Sequence, residues 1–146
     1  MPTRITRHLS GHRVLIANGS PGLRRLLSTL VGTLADPAGI DEACCGACAL
    51  ETLARGPAGL VIADASMEHV DGLALLSAMR REISLSRVPV ILLRDPVKDA
   101  TPPHLWKAAG ADAVLNKPLS LRAFAATLRD MGRAAPLSLV AAEGSA

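Results

Sequence analysis

Short apolar runs alternate with stretches of helical spacing along most of the chain. Val14-Leu15-Ile16-Ala17 is an unbroken apolar run that stops at Asn18-Gly19, the pattern of a strand buried on both faces and closed by a turn. Ser20 then offers a capping oxygen, and Pro21 suits the first helical position. Leu23, Leu26, Leu27, Leu30, Val31 and Leu34 follow at helical spacing until Asp36-Pro37. A weaker strand over residues 40–43 leads to a helix through Cys48, Ala49, Leu50 and Leu53, broken at Gly56-Pro57. Leu60-Val61-Ile62-Ala63 predicts a third strand that ends at Asp64. Residues 65–72 form a loop closed by Asp71-Gly72, and a helix carrying Leu73, Leu76, Met79 and Ile83 comes next. Residues 88–93 predict the fourth strand, with Pro89 tolerable near its start. A polar loop with Pro96, Pro102 and Pro103 precedes a short helix ending at Gly110. Ala113-Val114-Leu115 is the fifth strand. The last helix starts after Lys117-Pro118, capped by Ser120, with Leu121, Phe124, Ala125 and Leu128 on one face.

Strands alternating with helices in this way call for an α/β fold, a parallel sheet covered on both sides. Right-handed crossovers make a doubly wound three-layer sandwich the natural packing. In such sheets ligands sit beyond the carboxyl ends of the strands, at the switch point in strand order. The polar residues there are Asn18, Asp64, Arg94 and Lys117, which are expected to converge on one small site. Residues 12–133 are read as the domain. Residues 1–11 are read as a basic N-terminal extension and residues 134–146 as a flexible C-terminal tail, neither long enough to fold alone.

The chain's 146 residues, 49% hydrophobic and 20% charged, suit one globular domain with a real core. Trp106 and Phe124 are its only aromatic residues, so Leu, Val, Ile and Ala must build that core. So few rings also leave little on which exposed bases could stack. The net charge of +3 is scattered, and the adjacent pairs Arg24/Arg25 and Arg80/Arg81 read as solvated faces, so no nucleic-acid partner is expected. No apolar run is long enough to cross a bilayer, and residues 1–13 lack a secretory signal core. A cytoplasmic location is expected, with the three cysteines reduced. Cys45-Gly46-Ala47-Cys48 has the spacing of a redox pair, which makes a small thiol redox protein a distant alternative. The element order differs from that of thioredoxin-type proteins, so ordinary buried or half-buried thiols are expected. A zinc site needs four ligands, and Cys44, Cys45 and Cys48 have no fourth candidate nearby in sequence. His69 reads as a surface histidine, while Trp106 is either a core filler or an anchor for a partner.

Three segments together resemble the response-regulator receiver family over roughly residues 12–132. The most specific is Leu60-Val61-Ile62-Ala63-Asp64, followed by Met67 and Asp71-Gly72-Leu73. Residues 110–118, from Gly110 through Asn116-Lys117-Pro118, are similar to the family's fifth strand and its Lys-Pro. Glu42-Ala43-Cys44-Cys45-Gly46-Ala47-Cys48-Ala49-Leu50 is similar to its Glu-Ala-x-x-Gly-x-x-Ala-Leu segment. The resemblance implies a flavodoxin-like sheet of order 2-1-3-4-5 flanked by five helices. It implies Asp64 as phosphoacceptor, Lys117 as the phosphoryl or carboxylate partner, the backbone carbonyl of Ser66 as a metal ligand, and a cis bond at Lys117-Pro118. The implied partners are a histidine kinase or phosphotransferase and a downstream protein, with the chain a monomer or weak dimer. No catalysis beyond accepting a phosphoryl group is implied. With no output domain visible, a stand-alone phosphorelay protein is the expectation, and a phosphorylation-independent pseudo-receiver that docks partners is the alternative.

Several positions depart from the family pattern. Asn18 and Gly19 stand where the family places two acidic residues, so magnesium, which prefers charged oxygen ligands, is expected to bind weakly. Arg94 replaces a hydroxyl residue and Val114 the switch aromatic. An inward-pointing Arg94 would either replace part of the metal's charge or lock Asp64 in an ion pair.

Overall fold

All five expected strands form a single parallel sheet. The computed structural model describes Leu9 and residues 11–133. The strands are β1 (Arg13–Ala17), β2 (Gly39–Ala43), β3 (Leu60–Asp64), β4 (Val90–Arg94) and β5 (Ala113–Asn116), in the order β2-β1-β3-β4-β5. Among the described residues the helices are α1 (Pro21–Ala35), α2 (Gly46–Arg55), α3 (Gly72–Arg81), α4 (Pro103–Ala108) and α5 (Leu121–Arg133). Side chains alternate across a strand, and here the alternation divides the core into two layers. Leu15, Ala17, Val61, Ala63, Val90 and Leu92 pack under α2, α3 and α4. Val14, Ile16, Leu60, Ile62, Ile91 and Leu93 pack under α1 and α5. The two aromatic residues are split between these layers, Trp106 in the first and Phe124 in the second. This is the doubly wound sandwich that the sequence pattern and the resemblance imply.

Local chemistry starts the helices where the sequence places them. Ser20 Oγ accepts from Leu23 N–H (3.2 Å), Asp71 Oδ1 from Ala74 N–H (2.8 Å) and Ser120 Oγ from Ala123 N–H (3.1 Å). Cys45 caps α2 in the same way, its sulfur accepting from Cys48 N–H at 3.4 Å. Asp36 ends α1 in a left-handed conformation, φ 46°. The Lys117-Pro118 bond is cis.

Three boundaries and two charge readings need correction. The fourth strand begins at Val90, two residues later than the apolar run begins. Helix α3 stops at Arg81, leaving Ile83 92% exposed rather than on a buried face. Arg80 bridges this region: its guanidinium donates to the carbonyls of Val88 (2.8 Å), Ser86 (3.2 Å) and Gly110 (2.7 Å) and pairs with Asp112. It gathers the turn after α3 against the one before β5. Arg24 is likewise no solvated charge: it donates to Asn18 O at 2.6 Å and pairs with Glu42 at 3.4 Å. Leu9, inside the stretch expected to be an extension, is buried in the layer under α1 and α5. The other residues of the expected extension, Gly11 apart, and the whole expected tail lie outside the described residues. No helix among the described residues is long and apolar enough to cross a membrane.

Candidate functional site

The row of side chains facing α1 and α5 runs on past the carboxyl ends of the strands and meets at Asp64. Asn18 continues the row of Val14 and Ile16, Asp64 that of Leu60 and Ile62, and Lys117 that of Ala113 and Leu115. Asp64 is 4% exposed, and its Oδ2 accepts from the Lys117 ammonium. Its Oδ1 accepts from Ser66 N–H at 3.1 Å. A buried carboxylate needs such partners, because desolvation alone would penalise its charge. Gly72 is required here, since a Cβ on it would stand 2.4 Å from Asp64 O and 2.9 Å from Ala65 Cα. Only a glycine lets α3 begin this close to the end of β3.

Asn18 is buried as well. Its Oδ1 accepts from Ser20 N–H (2.9 Å), while its Nδ2 has no partner among the described residues. Gly19 leaves room beside it, since a Cβ at that position would meet nothing nearer than Cys44 O at 3.8 Å. Next to Asp64 a groove of about 790 Å³ opens, lined among others by Gly19, Ser66, Met67, His69, Asp99 and Trp106. His69 sits exposed on its rim with φ 64°.

Arg94 does not enter the constellation. It follows Val90 and Leu92 on the opposite face of the sheet, and its guanidinium lies 5.5 Å from the centroid of the Trp106 ring. Its Nη2 donates to Asp99 O at 3.1 Å, and its buried Nε has no partner among the described residues. Among the described residues the ion pair at Asp64 is the one with Lys117, and the pair that an inward-pointing Arg94 would make with Asp64 is absent. Val114 lies in the same layer as Trp106, half-buried. Trp106, 4% exposed, is a core residue and not an exposed anchor.

Two carboxylates that the sequence pattern does not single out stand close by. Asp99 Oδ1 accepts from Ser66 Oγ (2.6 Å) and its Oδ2 from Asp95 N–H (2.6 Å), tying the loop after β4 to the loop after β3. Asp95 Oδ1 accepts from Val97 N–H (2.9 Å) and Lys98 N–H (3.2 Å). Those backbone bonds, helped by the Lys98 and Lys117 charges, hold its pKa below the ordinary aspartate value. Asp95-Pro96-Val97 carries a legible turn signal. The reach of Asp99 to Ser66 has none.

The cysteines also come together. All three thiol sulfurs lie within 4.8 Å of one another, and the cysteines are free. The Cys45 thiol is shifted down by the Cys48 backbone N–H, and the Cys48 thiol is pushed up to about 11 by hydrogen bonding to Cys45.

Magnesium fits this donor set poorly. Asp64 is the one carboxylate in the row, beside the neutral amide of Asn18 and Gly19, which has no side chain.

A doubly wound sheet of this order, with a buried aspartate on a lysine at its carboxyl edge, defines the class of receiver domains. Residues 14–129 match the response regulator receiver domain, and the chain belongs to that family. It is 39% identical over 110 residues to protein-glutamate methylesterase/protein-glutamine glutaminase 4 of Myxococcus xanthus; the match covers 73% of this chain and 30% of that protein. The receiver domain of a signal transduction histidine kinase from Syntrophus aciditrophicus superposes with a TM-score of 0.72 at 23% identity, over 85% of this chain and 92% of that one. The receiver domain of the sensor histidine kinase PA1611 of Pseudomonas aeruginosa, solved with magnesium in its active-site cleft, gives 0.71 at 18% identity, over 84% and 98%. These structures establish the fold.

Proposed function

We propose that this receiver domain accepts a phosphoryl group on Asp64 from a phosphohistidine of a partner kinase or phosphotransferase, and signals by binding a downstream protein. The observation that carries this reading is the buried Asp64 carboxylate held on the Lys117 ammonium at the groove. In the transfer an Asp64 oxygen forms the new bond to phosphorus. The bond from phosphorus to the partner's imidazole nitrogen breaks, and that nitrogen keeps the electron pair and takes up a proton. Catalysis of such a transfer is mainly positioning and charge stabilisation. Lys117 neutralises the phosphoryl oxygens, and the Ser66 N–H holds the carboxylate in place. The charged oxygens that would hold magnesium tightly are missing, so the charge stabilisation rests on Lys117.

Incubation of the reduced chain with acetyl phosphate and magnesium, read by intact mass, tests the assignment. One phosphoryl adduct is expected on the wild type and none on Asp64→Ala. No adduct on the wild type, or an equal one on Asp64→Ala, overturns it. Gly19→Asp adds a charged oxygen ligand at a position where a Cβ meets nothing nearer than 3.8 Å, and is expected to tighten magnesium binding. Amide shifts around Asp64 during a magnesium titration would measure this, and an unchanged midpoint would count against the account of the pocket.

Two observations favour a second reading, that of a phosphorylation-independent docking module. Both Asp64 oxygens are satisfied before any phosphate arrives, and Arg94 is engaged with Trp106 where the family has a hydroxyl. On that reading acetyl phosphate leaves both the mass and the amide spectrum unchanged.

A further inference from the structure

The three thiols form a cluster that phosphoryl transfer does not use. Cys44 follows the last residue of β2, Cys45 caps α2 from an extended conformation (φ −155°, ψ 169°), and Cys48 lies in the first helical turn. A strand end running into a helix start folds positions i, i+1 and i+4 back onto one point. The Cys44 and Cys48 sulfurs are 4.0 Å apart, and all three lie within 4.8 Å of one another. Thiolates sharing one ion at about 2.3 Å stand roughly 3.8–4.0 Å apart, whether trigonal or tetrahedral. The cluster therefore needs shifts of less than about 1 Å to close on an ion of that size. Its backbone is held firmly: Gly46 N–H donates to Val70 O at 3.0 Å, and a Cβ on Gly46 would fall 2.2 Å from that oxygen.

The donor chemistry selects the ion. Three sulfurs without an oxygen discriminate against magnesium and calcium and favour a soft, thiophilic cation. Cys44 is exposed and both Cys44 and Cys45 line the groove, so an ion has a path in from solvent. His69, Glu68 and Asp71 line the same groove. Three protein ligands with one position left for water or an incoming group is a familiar zinc arrangement. A fourth ligand close in sequence is therefore not required.

We propose that Cys44, Cys45 and Cys48 bind one zinc-type cation as a three-thiolate site whose fourth position faces the groove beside Asp64. Each thiol gives up its proton as it coordinates, so binding tightens as pH rises.

The test uses the full chain, reduced with a phosphine, and titrates cobalt(II) first. A sulfur-to-cobalt charge-transfer band saturating at one equivalent, and bleached by one equivalent of zinc, is expected. Cys44→Ser and Cys48→Ser should each weaken zinc by more than about 100-fold in chelator competition, at least the loss that follows removal of a ligand's supporting partner. Cys45→Ser keeps a capping atom and should show the same loss with the helix intact by circular dichroism. Asp64→Asn should leave the band in place. Absence of the band, its survival in the Cys44→Ser/Cys48→Ser double variant, or its dependence on Asp64 would each overturn the proposal.

Discussion

Asp64 and Lys117 form a lopsided pair. The aspartate side chain is 5% exposed and the lysine side chain 29%, so either residue left alone meets a different fate. Lys117→Ala strands a buried carboxylate with one remaining N–H donor from Ser66, and a loss of about 1–3 kcal/mol in unfolding free energy is expected. Asp64→Ala lets the lysine swing into water and should cost distinctly less. Urea denaturation of the two variants measures the difference, and equal losses would contradict it. Asp95 supplies a pH dependence. Its folded pKa is held below the ordinary value, chiefly by the N–H groups of Val97 and Lys98. Its contribution is thus complete above about pH 4 and is lost as the pH falls through the lower, folded value. The Val97 and Lys98 amide shifts should titrate with a midpoint below about 3.9, the unperturbed aspartate value. A midpoint at or above that value would remove the turn's electrostatic basis.

The contact between β3 and α3 decides where Asp64, the proposed acceptor, is placed. The Cβ that Gly72→Ala adds would press on Asp64 O and Ala65 Cα, both backbone atoms that cannot rotate away. Overpacking of this kind costs about 1–3 kcal/mol, and here it displaces the proposed acceptor. Gly72→Ala is expected to lower the melting temperature and to slow acetyl-phosphate labelling together. Gly19→Ala, with its open surroundings, should do neither. Parallel melting and labelling curves for the two alanine variants would check this. Arg80 works between elements in another way, since one planar guanidinium serves several loop carbonyls and Asp112 at once. A lysine could not match that fork.

At the scale of the molecule, both core layers share one sheet, so neither set of helices can leave without exposing strands that the other set needs. Trp106, the only tryptophan, reports on the layer under α2, α3 and α4, while far-ultraviolet circular dichroism reports on the whole backbone. The two unfolding transitions should coincide, and separated midpoints would show that the layers unfold independently. The same tryptophan reads the site. Ser66 Oγ bonds to Asp99, Asp99 O accepts from Arg94, and Arg94 lies over the Trp106 ring. Phosphoryl transfer to Asp64 should therefore change Trp106 fluorescence in the wild type and leave it unchanged in Asp64→Ala.

Much of this is legible in sequence. Buried strands announce themselves by unbroken apolar runs, helix starts by Ser20, Asp71 and Ser120, and the buried carboxylate of the site by an aspartate ending the run Leu60-Val61-Ile62-Ala63. These are local signals, because the backbone period and the caps involve residues within a few positions of one another. Alternation along β4 even holds the clue that Arg94 faces away from Asp64, since Leu93 and not Arg94 sits level with Asp64 in the sheet. That clue becomes usable only with the register in hand. Tertiary structure alone decided that Arg80 and Arg24 are fasteners and that Asp99 reaches Ser66 across 33 positions. It alone also showed the three thiols within 4.8 Å of one another. Each of these depends on where two segments meet in space, which follows from the packing of the whole sheet and its helices and leaves no periodic trace in either segment.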